Sequence, residues 1–165
     1  MQALKLQPLG IAIWFVNPDP PSNKALLQPK EENLAIGKMI IHQPLKEWVT
    51  NEELGKETLF RELNKEFGHS LAHALYRRLR PIAQKPFRTK SGDSGNRWHF
   101  CCPITQEELF LLLGLKKFEV ISEKELSESK PQITGNIVKV GDKVFYADDY
   151  NILMEQIFPL QTMLI

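Results

Sequence analysis

A chain of 165 residues, 42% apolar and 25% charged with a formal charge of +1, has the size and makeup of one globular domain. It is long enough to bury a core without disulfides or a structural metal. This composition excludes a disordered chain, and the longest apolar runs, Leu9 to Val16 and Leu109 to Leu113, fall well short of the roughly 20 residues a membrane helix needs. No basic stretch followed by an apolar segment and a small-residue cleavage site opens the chain. The only cysteines, Cys101 and Cys102, are neighbours that diverge to opposite faces of a strand, so the expectation is a cytoplasmic protein with free thiols, one buried and one partly exposed.

Leu9 to Val16 is a short apolar run that Asn17-Pro18-Asp19-Pro20-Pro21 terminates, which predicts a core strand. Residues 17–33, rich in proline, asparagine and charge, read as a surface loop, and Ala35 to His42 as a second strand closed by Pro44. Thr50 and Glu53 have capping-box spacing, and Thr58 restarts the pattern after Gly55. Phe60, Leu63, Phe67, Leu71, Leu75 and Leu79 then recur at three and four, predicting one long helix that Pro81 stops. Residues 84–97 read as an exposed, mobile basic loop, and Trp98 to Cys102 as a strand. Thr105 with Glu108, and Ser122 with Glu125, cap two further helices, the first ending at a left-handed Gly114 and the second before Pro131. Gly141-Asp142 turns a hairpin between Asn136–Val140 and Lys143–Ala147. Asp148 or Asp149 caps a last helix that Pro159 closes. The expectation is a single α+β domain over 1–165, with a small mixed or antiparallel sheet, one long helix and a C-terminal helix, helix, hairpin, helix unit.

Charge is unevenly laid out. Arg77, Arg78, Arg80, Lys85, Arg88, Lys90 and Arg97 stand against Asp93 alone, a local balance of +6, whereas the residues from Thr105 onward sum to −4. Cations that run off a helix end into a Gly/Ser-containing loop suit a curved phosphate backbone. The expected site is therefore Arg77, Arg78, Arg80, Lys85, Arg88, Lys90, Arg97 and His99, binding nucleic acid or another polyanion. The acidic C-terminal third is left as a scaffold or a contact for a protein partner. A solvated helix end whose arginines complement the helix dipole is the plainer alternative, and a protein-protein adaptor without catalytic activity is the reading that would follow from it.

Three resemblances bear on this. The order of the C-terminal elements resembles a winged helix, although its recognition helix, Ser122 to Ser129, carries Glu123, Glu125 and Glu128, which repel phosphate. The run Lys90-Ser91-Gly92-Asp93-Ser94-Gly95-Asn96-Arg97-Trp98-His99-Phe100 resembles the turn, strand and histidine motif of archaeo-eukaryotic-type primase-polymerases, in which the histidine contacts nucleotide phosphates. That resemblance implies a divergent nucleotide-binding protein, but its catalysis requires metal-binding carboxylates, and only Asp19, Asp148 and Asp149 fall in the right order. Tyr146-Ala147-Asp148-Asp149 is similar to the catalytic turn of reverse transcriptases over four residues only, and a helix cap explains it more simply.

Glu66, His69 and His73 share one helical face, yet their spacing is not a tight metal signature, so no metal and no cofactor are expected. No third group orients a histidine base for either cysteine. The favoured reading is a non-enzymatic accessory protein that binds nucleic acid or a polyanion.

Overall fold

The computed structural model describes residues 9–49, 56–88, 92 and 94–159. The Thr50/Glu53 cap, Gly55, Lys90, Ser91 and Asp93 lie outside the described residues. These divide into two compact units, one holding those up to Ile13 and Lys46–Cys102, the other Trp14–Leu45 and those from Pro103 onward. The chain is mixed α and β, as its sequence suggested, with more strands than the sequence reading supplied.

Strand β1 (Leu9–Asn17) starts in the first unit and ends in the second. Ile11 through Val16 are all essentially inaccessible, as a continuous apolar run covered on both faces must be. Each large side chain so buried contributes roughly 1.5–3 kcal/mol. In the first unit, β4 (Leu45–Val49) pairs with β1, and β5 (Arg80–Arg88) and β6 (Ser94–Pro103) form an antiparallel ribbon. Helices α1 (Lys56–Phe67) and α2 (His69–Tyr76) bury Leu59, Leu63, Ala72 and Leu75.

Two expectations fail here for local reasons. The single long helix breaks at Gly68, whose φ of 84° and ψ of 164° lie outside the helical region and are open chiefly to glycine. Gly68 N–H closes α1 on the Asn64 carbonyl at 2.9 Å and the Gly68 carbonyl accepts from Ala72 N–H at 3.0 Å. Pro81 does not stop a helix either. Helix α2 is over by Tyr76, and Pro81 and Pro86 stand in β5, which among the described residues pairs with β6 alone. An outer strand tolerates prolines because their missing N–H groups leave no inter-strand bond unmade on the open side. The segment read as a mobile basic loop is therefore mostly paired backbone, with Lys85 opposite Arg97 and Ala83 opposite His99.

In the second unit, β2 (Lys24–Leu34) occupies most of the expected 17–33 loop. Its Ala25, Leu26 and Leu27 are buried between β1 and β7 (Glu119–Ser122), while Gln28 to Leu34 pair, among the described residues, only with β3 (Gly37–Gln43). Pro29 misled the sequence reading because proline disfavours strand interiors, yet it stands where β2 has a partner on one side only. Thr105 caps α3 (Gln106–Leu113) with both capping-box bonds, at 2.9 and 3.2 Å. The Ser122 hydroxyl accepts from Glu125 N–H at the start of α4 (Glu123–Ser127). Gly114 is right-handed at φ −62°, and the left-handed residue is Lys116 at φ 60°. Strands β8 (Gln132–Thr134), β9 (Ile137–Val140) and β10 (Lys143–Tyr146) make a three-stranded sheet, with Gly141 turning the expected hairpin at φ 62°. Helix α5 (Ala147–Ile152) is preceded by Tyr146 without a side-chain cap, and continues as a π-helical turn, Leu153–Ile157. Asp148 and Asp149 lie in its first turn, not at its cap. The extra strands β7 and β8 and the three-stranded C-terminal sheet replace the winged-helix order. No helix among the described residues is long and apolar enough to cross a membrane.

Candidate active site

The residues of the expected anion site, Lys90 aside, fall at the end of α2 and on the β5–β6 ribbon. Arg77 follows α2; Arg80, Lys85 and Arg88 are exposed along β5; Arg78 is half-buried. Arg97 is laid against an aromatic pair, its guanidinium carbon 4.9 Å from the Phe87 ring centre and 5.9 Å from that of Trp48, with the two rings 5.1 Å apart. Such stacking gives a guanidinium a partner other than phosphate. His99 is only 2% exposed, and burial, reinforced by Arg97, Lys46 and Lys85, lowers its pKa to about 3. It is a neutral interior imidazole at any ordinary pH. Cys101 and Cys102 remain thiols and both are buried, with the Cys102 thiol directed at the Leu75 carbonyl 3.5 Å away. The partly exposed thiol expected from strand alternation does not exist, because β6 is covered on both sides at that point.

The charged groups that do converge come from β4 and α1. Strand β4 carries Glu47, and α1 carries Glu62, Lys65 and Glu66, three and four residues apart and so on one face. The Lys65 ammonium is 3.4 Å from Glu62 Oε2 and 3.8 Å from Glu47 Oε2. The Glu47 and Glu66 carboxyls are hydrogen-bonded to one another. Glu62 and Glu47 are largely enclosed, at 11% and 18% side-chain exposure, whereas Lys65 is 64% exposed. The cluster thus has enclosed carboxylates and an accessible cation.

Its electrostatics follow from that enclosure. Burial raises the pKa of Glu47 to about 7; the hydrogen bond and the charge of Glu66 push the same way, and Lys65 opposes them. Two carboxyls in contact cannot both ionise cheaply, so Glu47 keeps its proton up to near neutral pH. Lys65 is held above the ordinary lysine value, first by Glu47 and then by Glu62, and stays protonated. A carboxyl with a pKa near 7 can accept and return a proton at neutral pH, the property required of a general base.

The sequence reading placed Glu62 and Glu66 on a solvated stripe and passed over Glu47 and Lys65. The available signal was the charge pattern Arg61-Glu62-Leu63-Asn64-Lys65-Glu66 on a helix, where like and opposite charges repeat at three and four. Glu47 was not legible, because β4 itself was not expected. The histidine stripe is built differently from a metal site. His69 and His73 surround Phe60, with ring centres 5.5 and 6.2 Å from it, so both imidazoles pack edge-on against an aromatic ring.

No protein-family model matches this chain, and no curated protein matches it. Among solved structures, NrtR from Shewanella oneidensis aligns with 75% of this chain and 56% of its own, at 11% identity and a TM-score of 0.50. The NUDIX domain of the same NrtR, solved as a complex with ADP ribose, aligns at 13% identity and a TM-score of 0.41, covering 97% of this chain and 85% of its own. Ap4A hydrolase from C. elegans aligns at 11% identity and a TM-score of 0.42, covering 96% and 94%. The likeness to NrtR establishes a Nudix-like fold and only that. This chain spans little more than half the length of that NrtR structure.

The fold corrects the functional reading taken from the sequence. The accessory protein that binds nucleic acid or a polyanion, the primase-polymerase-like protein and the adaptor are all set aside, since they rested on a basic loop and a winged-helix order that the Nudix-like fold replaces. The local geometry agrees: His99 is buried and neutral, Arg97 is stacked, and the supposed loop is a paired ribbon. Phosphoanhydride hydrolysis is commonly served by a divalent cation held on several carboxylates. Such an ion does not fit the side chains here. Among the described residues no group of three His, Cys, Asp or Glu side chains is arranged to hold a metal, and the Lys65 ammonium lies between Glu47 and Glu62.

Proposed function

We propose that this chain hydrolyses a phosphoanhydride in a nucleotide-containing substrate, with Glu47 as the proton acceptor. The observation that carries the reading is the Glu47–Glu66 carboxyl pair, poised near pH 7 beside an accessible lysine. The Nudix-like fold supports it as an analogy of fold, which by itself assigns no chemistry. In the reaction the oxygen of water forms a bond to phosphorus and the bridging P–O bond breaks, its electron pair leaving with the departing phosphate. The water proton passes to the ionised Glu47 carboxylate, and Glu66 holds that carboxyl in place. Lys65, exposed at the edge of the cluster, meets the negative charge of the phosphates.

ADP ribose is the first compound to try, because the NUDIX domain of NrtR was solved with it, followed by dinucleoside polyphosphates. Anion-exchange chromatography should detect nucleoside monophosphate released by the purified chain. The rate should rise through about pH 7 as Glu47 ionises, and Glu47→Gln should slow it by about 10²-fold or more. Absence of turnover on every compound in both sets, with folded protein, would sink the proposal.

A further inference from the structure

From the placement of Lys65 we infer that its ammonium does the work of a divalent cation in this cluster, so that phosphate binding and hydrolysis proceed without a metal. The inference rests on the hydrolase reading above for its substrate class, but not for its test. Three carboxyl side chains, Glu47, Glu62 and Glu66, are assembled on β4 and one face of α1, and the first two are largely enclosed. Enclosed carboxylates require a counter-charge, which proteins supply as a hydrogen-bonded cationic side chain or as a bound ion. Here it is supplied in the chain. Lys65 approaches Glu62 at 3.4 Å and Glu47 at 3.8 Å, both consistent with direct ion pairing.

The exchange has consequences for both charge and shape. A divalent ion such as Mg2+ brings two positive charges and demands near-octahedral oxygen coordination, whereas an ammonium brings one charge and three donors on a flexible stem. With Glu47 protonated, the single positive charge of Lys65 leaves the cluster one unit negative, and two units negative once Glu47 ionises. A second cation of charge two would have to displace the ammonium or stand beside it, and repulsion from the ammonium disfavours the latter. Because Lys65 is 64% exposed while its carboxylate partners are enclosed, part of the ammonium stays open to an incoming phosphate oxygen.

Titration with Mn2+ alone, followed by electron paramagnetic resonance of the free ion, tests this without any substrate. Wild-type protein should show no saturable site up to about 1 mM, the weak end of the range for protein carboxylate sites. Lys65→Glu should gain one site, and Lys65→Gln, which removes the ammonium without adding charge, should bind at least about tenfold more tightly than wild type. If Lys65→Glu does not fold, Lys65→Gln carries the comparison. Stoichiometric Mn2+ binding by wild-type protein that is lost in Glu66→Gln would overturn the inference. So would folded Lys65→Gln that gains no affinity, since the ammonium would then not be what stands in the ion's place. Failure to hydrolyse any nucleotide, with wild type still indifferent to Mn2+, would count against the proposed activity and leave the cation exchange standing.

Discussion

The β5–β6 ribbon and the β4–α1 cluster both belong to the first unit, and they use charge in opposite ways. The ribbon lies in the most basic stretch of the chain, yet its cations spread along an outer strand, Arg97 is laid on Trp48 and Phe87, and His99 is kept neutral inside. The cluster comes from segments of unremarkable net charge, but brings Glu47, Glu62, Lys65 and Glu66 together. Charge counted along a sequence reports the field around a protein, whereas a site depends on convergence in space, and here the two point to different places.

The largest expected effect belongs to the ribbon. His99 has a pKa of about 3 in the folded chain against 6.5 for a free imidazole. Below pH 6.5 the unfolded chain takes up a proton that the native chain refuses, so this residue removes stability as pH falls from 6.5 toward 3. Urea unfolding at pH 8 and pH 4 should show a loss of about 2–4 kcal/mol from this source. His99→Gln should lose that much less between the same two pH values; an unchanged difference would show that His99 takes up protons in the native state.

Glu47 acts with the opposite sign. Its folded pKa of about 7 lies above the ordinary glutamate value of 4.5, so between those values the native chain keeps a proton the unfolded chain releases, and stability falls as pH rises from 4.5 to 7. Because the side chain is partly open to water, about 1–2 kcal/mol is expected rather than the full linkage value. Glu47→Gln should be more stable than wild type at pH 8 and gain nothing at pH 4.5. Equal stability increments at both values would break the claimed contrast between an interior neutral imidazole and a proton-sharing carboxyl pair.

The break between α1 and α2 offers a smaller effect. Gly68→Ala places a side chain at φ 84°, where L-residues cost roughly 1–2 kcal/mol. No neighbour lies within 4 Å of the added carbon, so the loss is conformational, and the thermal midpoint should fall by several degrees. A melting curve that does not move would mean the two helices adjust by joining. Smallest of all is the joint replacement of Lys85 and Arg88 by alanine. Both are exposed on an outer strand, so stability should stay within about 0.5 kcal/mol and nucleotide hydrolysis should not change. A large fall in hydrolysis would return the basic ribbon to the site and undo the comparison.

What the sequence determined by itself was what local chemistry enforces. The apolar run Leu9–Val16, closed by its prolines, favoured a covered strand over a helix, Thr105 with Glu108 and Ser122 with Glu125 could cap helices from their own side chains, and Gly141 could turn a hairpin. These depend on residues within a few positions of one another. Gly68 was equally local, and its break in the long helix was legible although the apolar stripe outweighed it. Tertiary structure alone decided that Pro29, Pro81 and Pro86 stand in strands, because a strand's tolerance for proline depends on which side has a partner, and partners are distant in sequence. It also decided the site. Glu62, Lys65 and Glu66 were visible as a helical charge pattern, but a solvated stripe and an enclosed acid cluster have the same pattern. The difference is Glu47, carried in by a strand that lies seven positions before α1 begins, and its desolvation beside Glu66, a property of packing that no spacing of residues encodes.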